Sequence, residues 1–272
     1  MMPGSEILIP AGVVGGIGVF CSVALAVASR YFHVAEDPRI EAVTGLLPGA
    51  NCGACGLAGC ADYAKAIVLH GATLDQCKPG GAQTVAAIAS FLGVEAAVGE
   101  RQVALVLCAG GDSQAARKFA YNGLADCAAA VLVGGGDKAC AYGCLGLGSC
   151  ARVCPVGAIE ITADRLAVVH PDLCVGCGLC VKACPKKIIQ LVPEHRSLHV
   201  LCRSQDRGPV VKKKCKVGCI GCTLCTKVSD GAIRMDRNLA VVDYTKPLDN
   251  DEVATKCPQH TIVRRPGMRG GA

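Results

Sequence analysis

Four cysteines packed into residues 174–184 set the chemistry of this chain. Cys174, Cys177, Cys180 and Cys184-Pro185 read C-x2-C-x2-C-x3-C-P. At that spacing three thiolates wrap one iron–sulfide cube, and the fourth reaches a neighbouring cube. Two-residue spacers let the backbone curl round the inorganic core. The proline after the fourth cysteine keeps the chain from folding back onto the loop. The chemistry such a site performs is electron transfer.

Cysteine is abundant throughout, 21 of 272 residues, while aromatics make up 3% and tryptophan is absent. Large apolar side chains are therefore scarce for core building, and bound metal can supply folding energy instead. Dense cysteine also occurs in secreted disulfide scaffolds. The tight C-x2-C spacing favours metal, and clusters need a reducing compartment. Zinc remains the competing occupant, because four thiolates also suit a tetrahedral zinc site.

The first group is Cys52, Cys55 and Cys60 in a glycine-rich loop, with Cys77 returning as fourth ligand. Helices are expected over 61–69 and 83–92, the first with Ala64, Ile67 and Val68 on one face. The second group pairs an irregular half, Cys140-x3-Cys144-x5-Cys150-x3-Cys154-Pro155, with the regular run from Cys174. Exchange of the fourth ligand predicts one cluster on Cys140, Cys144, Cys150 and Cys184. It predicts another on Cys174, Cys177, Cys180 and Cys154. Between the halves, 158–161 and 166–169 read as a hairpin across Asp164-Arg165.

The third group is a decayed copy of the second. Leu239-Ala240-Val241-Val242 repeats Leu166-Ala167-Val168-Val169, and in that register Pro247, Asn250 and Val253 replace Cys174, Cys177 and Cys180. The segment 226–231 has lost its cysteine too. The thiols that remain, Cys219, Cys222, Cys225 and Cys257, are the set that would share one cluster, so one site is live and one deleted. Four clusters are thus expected. Of the remaining cysteines, Cys21 reads as an apolar filler. Cys108, Cys127, Cys202 and Cys215 are either buried free thiols or the ligands of a fifth cluster.

Nothing in the chain reads as a catalytic residue. The histidines show no paired spacing, and Gly134-Gly135-Gly136-Asp137 lacks the G-x-G-x-x-G spacing of a dinucleotide site and reads as a flexible loop. Net charge is +6, with a basic run at Lys212, Lys213, Lys214 and Lys216. That run is either a solvated loop or a docking patch for an acidic redox protein. Nucleic acid is excluded as a partner because no aromatics interleave with the basic residues.

Residues 7–29 carry no charge and are long enough to span a hydrocarbon core of about 30 Å. No basic residue precedes them, unlike a secretory signal. Arg30 and Arg39 follow, and the positive-inside rule places the cysteine-rich body on the cytoplasmic side.

The order of these parts is an apolar anchor, then Gly53-Ala54-Cys55-Gly56-Leu57-Ala58-Gly59-Cys60, then paired cysteine modules of bacterial-ferredoxin type. It resembles the B subunit of the Rnf complex, the ion-translocating ferredoxin:NAD oxidoreductase. The blocks 136–150 and 215–222 are similar to its long, multi-cluster form. The resemblance implies a relay subunit of an inner (plasma) membrane complex, with reduced ferredoxin as donor and the other Rnf subunits as partners. The expected fold class is α+β. A transmembrane anchor (1–30) leads into a small helical 4Fe-4S domain (31–98). A connecting segment (99–138) precedes a dicluster ferredoxin-like domain (139–193), and a degenerate one-cluster copy with a basic tail follows (194–272).

Overall fold

The computed structural model describes residues 5–31, 37–95 and 99–265. The chain divides into two compact units, 1–42 and 43–272. The first contains helix α1 (Ser5–Tyr31). Its stretch Gly12–Tyr31 has a mean hydropathy of 2.0, and none of it is buried inside the protein. An apolar helix this long leaves its side chains to be covered by something other than its own chain, as a membrane anchor does. Helix α2 (Pro38–Leu46) runs across the division.

The second unit opens with the first cysteine loop. Helix α3 (Cys60–His70) leaves it with Tyr63, Ala64 and Ile67 buried, and ends at Gly71 in the left-handed conformation. The Tyr63 hydroxyl donates to the Thr73 carbonyl at 2.7 Å and accepts from the Gln76 N–H at 3.2 Å. These bonds fold the returning segment onto α3 and deliver Cys77 to the loop. Helix α4 (Gly81–Leu92) follows, close to the expected range.

Two modules of the same plan make up the rest. In the first, β1 (Gln102–Val106) pairs antiparallel with β4 (Ile189–Pro193), with Gln102 opposite Pro193 and Val106 opposite Ile189. The expected hairpin forms between them as β2 (Ile159–Ile161) and β3 (Ala167–Val169). Three short helices complete it: α5 (Cys127–Leu132), α6 (Ser149–Arg152) and α7 (Leu179–Ala183). The second module pairs β5 (Leu198–Val200) with β8 (Ile262–Arg264) around the hairpin β6 (Ile233–Asp236) and β7 (Leu239–Val242). Its helices are α8 (Gly208–Lys214) and α9 (Glu252–Thr255). In both modules first and last strands zip together, and the inner hairpin packs on the first strand.

The cores are small. Val103, Leu105, Val106, Ile188 and Val192 are buried around the cysteines of the first module, and Leu198, Ala232, Ile233 and Val253 in the second. Each aliphatic side chain buried this way stabilises by about 1.5–3 kcal/mol.

Two local expectations differ from what the chain does. The stretch 99–138, expected as a connection, supplies β1 and α5 to the first module. Its run Val103–Val106 is fully buried because it is zipped to β4. The loop 134–137, expected to be flexible, is packed. Asp137 is buried and accepts from Arg165 Nη1 at 2.8 Å, and Lys186 Nζ donates to the Gly135 carbonyl at 2.6 Å. A Cβ on Gly136 would sit 2.5 Å from Leu145 Cδ2, which is why glycine stands there at φ +93.

Candidate metal centres

The cysteines gather round small voids. Among the described residues no three His, Cys, Asp or Glu side chains converge as they would on one metal ion. The thiols instead gather in sets of four, each set lining one pocket, and the C-x2-C-x2-C loops at Cys174 and Cys219 have iron–sulfur spacing.

Cys154, Cys174, Cys177 and Cys180 line one pocket. Backbone N–H groups point at its sulfurs: Ala104 donates to Cys174 Sγ and Ala158 to Cys154 Sγ, each at 3.3 Å. The Ala104 donor belongs to β1, so strand pairing places it. Gly176 sits at φ +66, and a Cβ there would lie 2.3 Å from the Gln102 carbonyl oxygen. Only glycine lets the loop press this closely on β1.

A second pocket is lined by Cys127, Cys144, Cys150 and Cys184. Here the grouping departs from expectation: Cys140 is absent from this wall and Cys127 takes the fourth place. Helix α5 delivers it. Asp126 caps that helix by accepting from the Ala128 and Ala129 N–H groups at 2.8 and 3.0 Å. Ser149 accepts from the Cys127 N–H at 2.7 Å and donates to Asp126 at 2.9 Å, and Arg152 pairs with Asp126 at 2.6 Å. These contacts fasten α5 to α6 and hold Cys127 beside Cys150. A signal for this was present. Cys144, Leu147 and Cys150 keep the spacing of Cys219, Cys222 and Cys225, so Leu147 stands where a ligand is missing.

Cys219, Cys222, Cys225 and Cys257 line a third pocket. Where the register would place a neighbouring site, Leu248 and Val253 are buried in the module core. Ser229 accepts from the Ile233 N–H at 3.1 Å, four residues on, as Cys154 does from Ala158. A hydroxyl thus keeps the backbone contact that the thiol makes in the first module.

Cys140 lines a separate pocket together with Cys108, Cys202 and Cys215. Of the set expected for a fifth site, three members meet here, and Cys127 lies elsewhere.

Cys52, Cys55 and Cys60 all act on Cys77, whose thiol is pushed up first by burial and then by these neighbours. The same holds elsewhere. Burial, then adjacent thiols, raises Cys150 and Cys180 to about 12 and Cys225 to about 11. Thiols this reluctant to ionise side by side need a cationic core to become ligands. The same influences reveal which sets are neighbours. Cys52 acts on Cys177, Cys150 on Cys180, Cys108 on Cys144 and Cys219 on Cys202.

The fold and these thiol-lined voids define an iron–sulfur protein built on a duplicated bacterial-ferredoxin plan. Residues 139–188 match the 4Fe-4S dicluster domain family, and residues 47–79 match a family described as a putative Fe-S cluster. The chain is 43% identical over 259 residues to the B subunit of the Na(+)-translocating ferredoxin:NAD(+) oxidoreductase complex of Acetobacterium woodii, covering 95% of this chain and 78% of that protein. It is 42% identical over 254 residues to the B subunit of the ion-translocating oxidoreductase complex of Methanosarcina acetivorans, covering 93% and 96%. Against the B subunit of the proton-translocating ferredoxin:NAD(+) oxidoreductase complex of Clostridium ljungdahlii the identity is 40% over 250 residues, covering 90% and 88%. The chain belongs to the family of B subunits of Rnf-type ion-translocating oxidoreductase complexes.

Proposed function

We propose that this chain is the electron-relay subunit of a membrane-bound ion-translocating ferredoxin:NAD oxidoreductase complex. It receives electrons from reduced ferredoxin and delivers them to partner subunits. The observation that carries this reading is the adjacency of thiol sets. Cys52 of the first group lies near Cys177, and Cys180 lies near Cys150. A relay requires such succession, whereas scattered structural staples do not.

The residues suited to hold clusters are Cys52, Cys55, Cys60 and Cys77; Cys154, Cys174, Cys177 and Cys180; Cys127, Cys144, Cys150 and Cys184; and Cys219, Cys222, Cys225 and Cys257. A bound [4Fe–4S] cluster supplies reversible uptake of one electron, at a potential set by its surroundings. This chain provides those surroundings. The Ala104 and Ala158 N–H groups donate to sulfur. Buried Val103, Val106 and Ile189 keep water from the first-module walls.

Helix α1 crosses the bilayer once, with Arg30 and Arg39 on the cytoplasmic side. The body then lies where thiols stay reduced. Its domains are a first-cluster domain over 43–95 and two ferredoxin-like modules over 102–193 and 198–264. Exposed Lys212, Lys213 and Lys216 offer an electrostatic landing for an acidic donor.

The test is anaerobic purification of the full chain and titration with reduced ferredoxin. The expected protein is brown, carries at least about 16 iron atoms per chain and bleaches as the donor is added. A colourless zinc protein, or an iron protein that reduced ferredoxin leaves unbleached, would overturn the reading.

A further inference from the structure

The void shared by Cys108, Cys140, Cys202 and Cys215 is built by an internal symmetry that neither cysteine motif contains. Cys108 ends Val106-Leu107-Cys108, just past β1, and Cys202 ends Val200-Leu201-Cys202, just past β5. Cys140 stands four residues ahead of Cys144 in Cys140-Ala141-Tyr142-Gly143-Cys144. Cys215 stands four ahead of Cys219 in Cys215-Lys216-Val217-Gly218-Cys219. Each module therefore contributes one thiol from the end of its first strand and one from just before its ligand loop. The two pairs meet at one hollow.

The sulfurs face one another there. A Cβ on Gly110 would lie 3.1 Å from Cys215 Sγ and 3.8 Å from Cys108 Sγ, so this backbone lies against both. An antiparallel bridge between Ala115 and Cys215 ties the inserted loop of the first module to the second. Sulfur also receives backbone donors as in the other sites: the Cys144 N–H points at Cys108 Sγ and the Ser204 N–H at Cys202 Sγ, each at 3.4 Å. Buried Lys138 donates to the Gly110 carbonyl at 2.7 Å and brings a positive charge to a wall that would become anionic. Four thiols lining one pocket, with two backbone N–H groups aimed at their sulfurs, are the donor set of a tetranuclear cluster.

We propose that Cys108, Cys140, Cys202 and Cys215 hold a further [4Fe–4S] cluster at the seam between the two modules. It rests on the relay reading and extends it. Without this site the Cys144 set and the Cys219 set have no thiol set between them. With it, Cys108 touches one side through Cys144 and Cys202 lies beside Cys219 on the other, and the sites form one through-going run. On assembly each thiol gives its proton to solvent as its sulfur bonds to iron, so four protons leave per cluster.

The experiment counts iron and acid-labile sulfide in the full chain, reconstituted anaerobically with equal amounts of ferrous and ferric iron and with sulfide, which together supply the oxidation level of a resting core. About 20 irons per chain are expected, and about 16 for Cys202→Ala or Cys215→Ala. The double variant Cys140→Ala/Cys202→Ala should also hold about 16, because both residues serve one site. Cys140→Ala/Cys127→Ala should hold about 12, because those serve two. The iron that remains reports folding, and serine replacements at the same positions guard against collapse of an alanine variant. A parent chain at about 16 that Cys202→Ala leaves unchanged overturns the seam cluster alone. A Cys140→Ala/Cys202→Ala double variant at about 12 overturns the grouping. A parent chain that binds no iron overturns the relay reading beneath both.

Discussion

The backbone N–H of Cys144 donates to the sulfur of Cys108 at 3.4 Å. One residue thus lines one void with its own thiol and solvates a thiol of the next with its amide. A cluster bound at the proposed seam site would therefore have its potential set partly by the backbone of the neighbouring ligand loop, since hydrogen bonds to sulfur are a main determinant of cluster potential.

Ligand grouping is open to direct attack. Cys127→Ala should remove the cluster of Cys144, Cys150 and Cys184 and leave the Cys174 set intact. Cys154→Ala should do the reverse. Low-temperature electron paramagnetic resonance of the reduced variants separates the two losses. Damage to the Cys174 set by Cys127→Ala would show that α5 does not place Cys127 as described.

Gly176→Ala should be severe for its size. The position has φ +66 and an added Cβ meets the Gln102 carbonyl oxygen at 2.3 Å, so β1 or the ligand loop must move. A loss of several kcal/mol in stability is expected, on the order of the larger single-substitution effects. Denaturant titration under anaerobic conditions measures it. A variant within about 0.5 kcal/mol of the parent would mean the loop does not press on β1.

Acid should weaken the second module through His199. Its ring is buried, Nδ1 lies 2.9 Å from the Tyr244 hydroxyl, and burial, then the Arg265 charge, lowers its pKa from 6.5 to about 4. The unfolded chain takes up a proton below about 6.5 while the folded chain resists until about 4. Stability therefore falls as pH drops through that window, by about 3 kcal/mol in full. His199→Gln should flatten the decline between pH 6.5 and 4 in denaturant midpoints. An unchanged slope would assign the acid sensitivity to other groups.

Removing residues 1–31 should release a protein that keeps its iron but no longer sediments with membranes. The helix Ser5–Tyr31 supplies the apolar length for that attachment. Continued tight sedimentation would point to a second attachment on the cysteine-rich body.

The deleted site makes a paired prediction. Ser229→Ala should leave iron content unchanged and cost about 1 kcal/mol, because the hydroxyl accepts from the Ile233 N–H at 3.1 Å and donates to the Thr226 carbonyl only at 3.5 Å. Cys257→Ala should lose about four irons and make the second module protease-sensitive. Iron loss in Ser229→Ala would imply a serine-ligated centre.

Local order explains what could be read from residues alone. A C-x2-C-x2-C loop is a short-range object, its turns dictated by two-residue spacers and by glycines such as Gly176. So the residues that share a pocket, Cys154 with Cys174, Cys177 and Cys180, and Cys257 with Cys219, Cys222 and Cys225, are visible in the chain together with the apolar helix and the 158–169 hairpin, and the motifs carry the family. The remaining thiols are not, because each comes from a separate segment and its neighbours depend on long-range pairing. β1 had to zip to β4, and β5 to β8, before Cys108 and Cys202 could face one hollow. α5 had to be pinned to α6 by Asp126, Ser149 and Arg152 before Cys127 could join the wall formed by Cys144, Cys150 and Cys184. Sequence spacing counts residues along one strand of chain. Which sulfurs share a void is decided by packing between strands that lie far apart in that count.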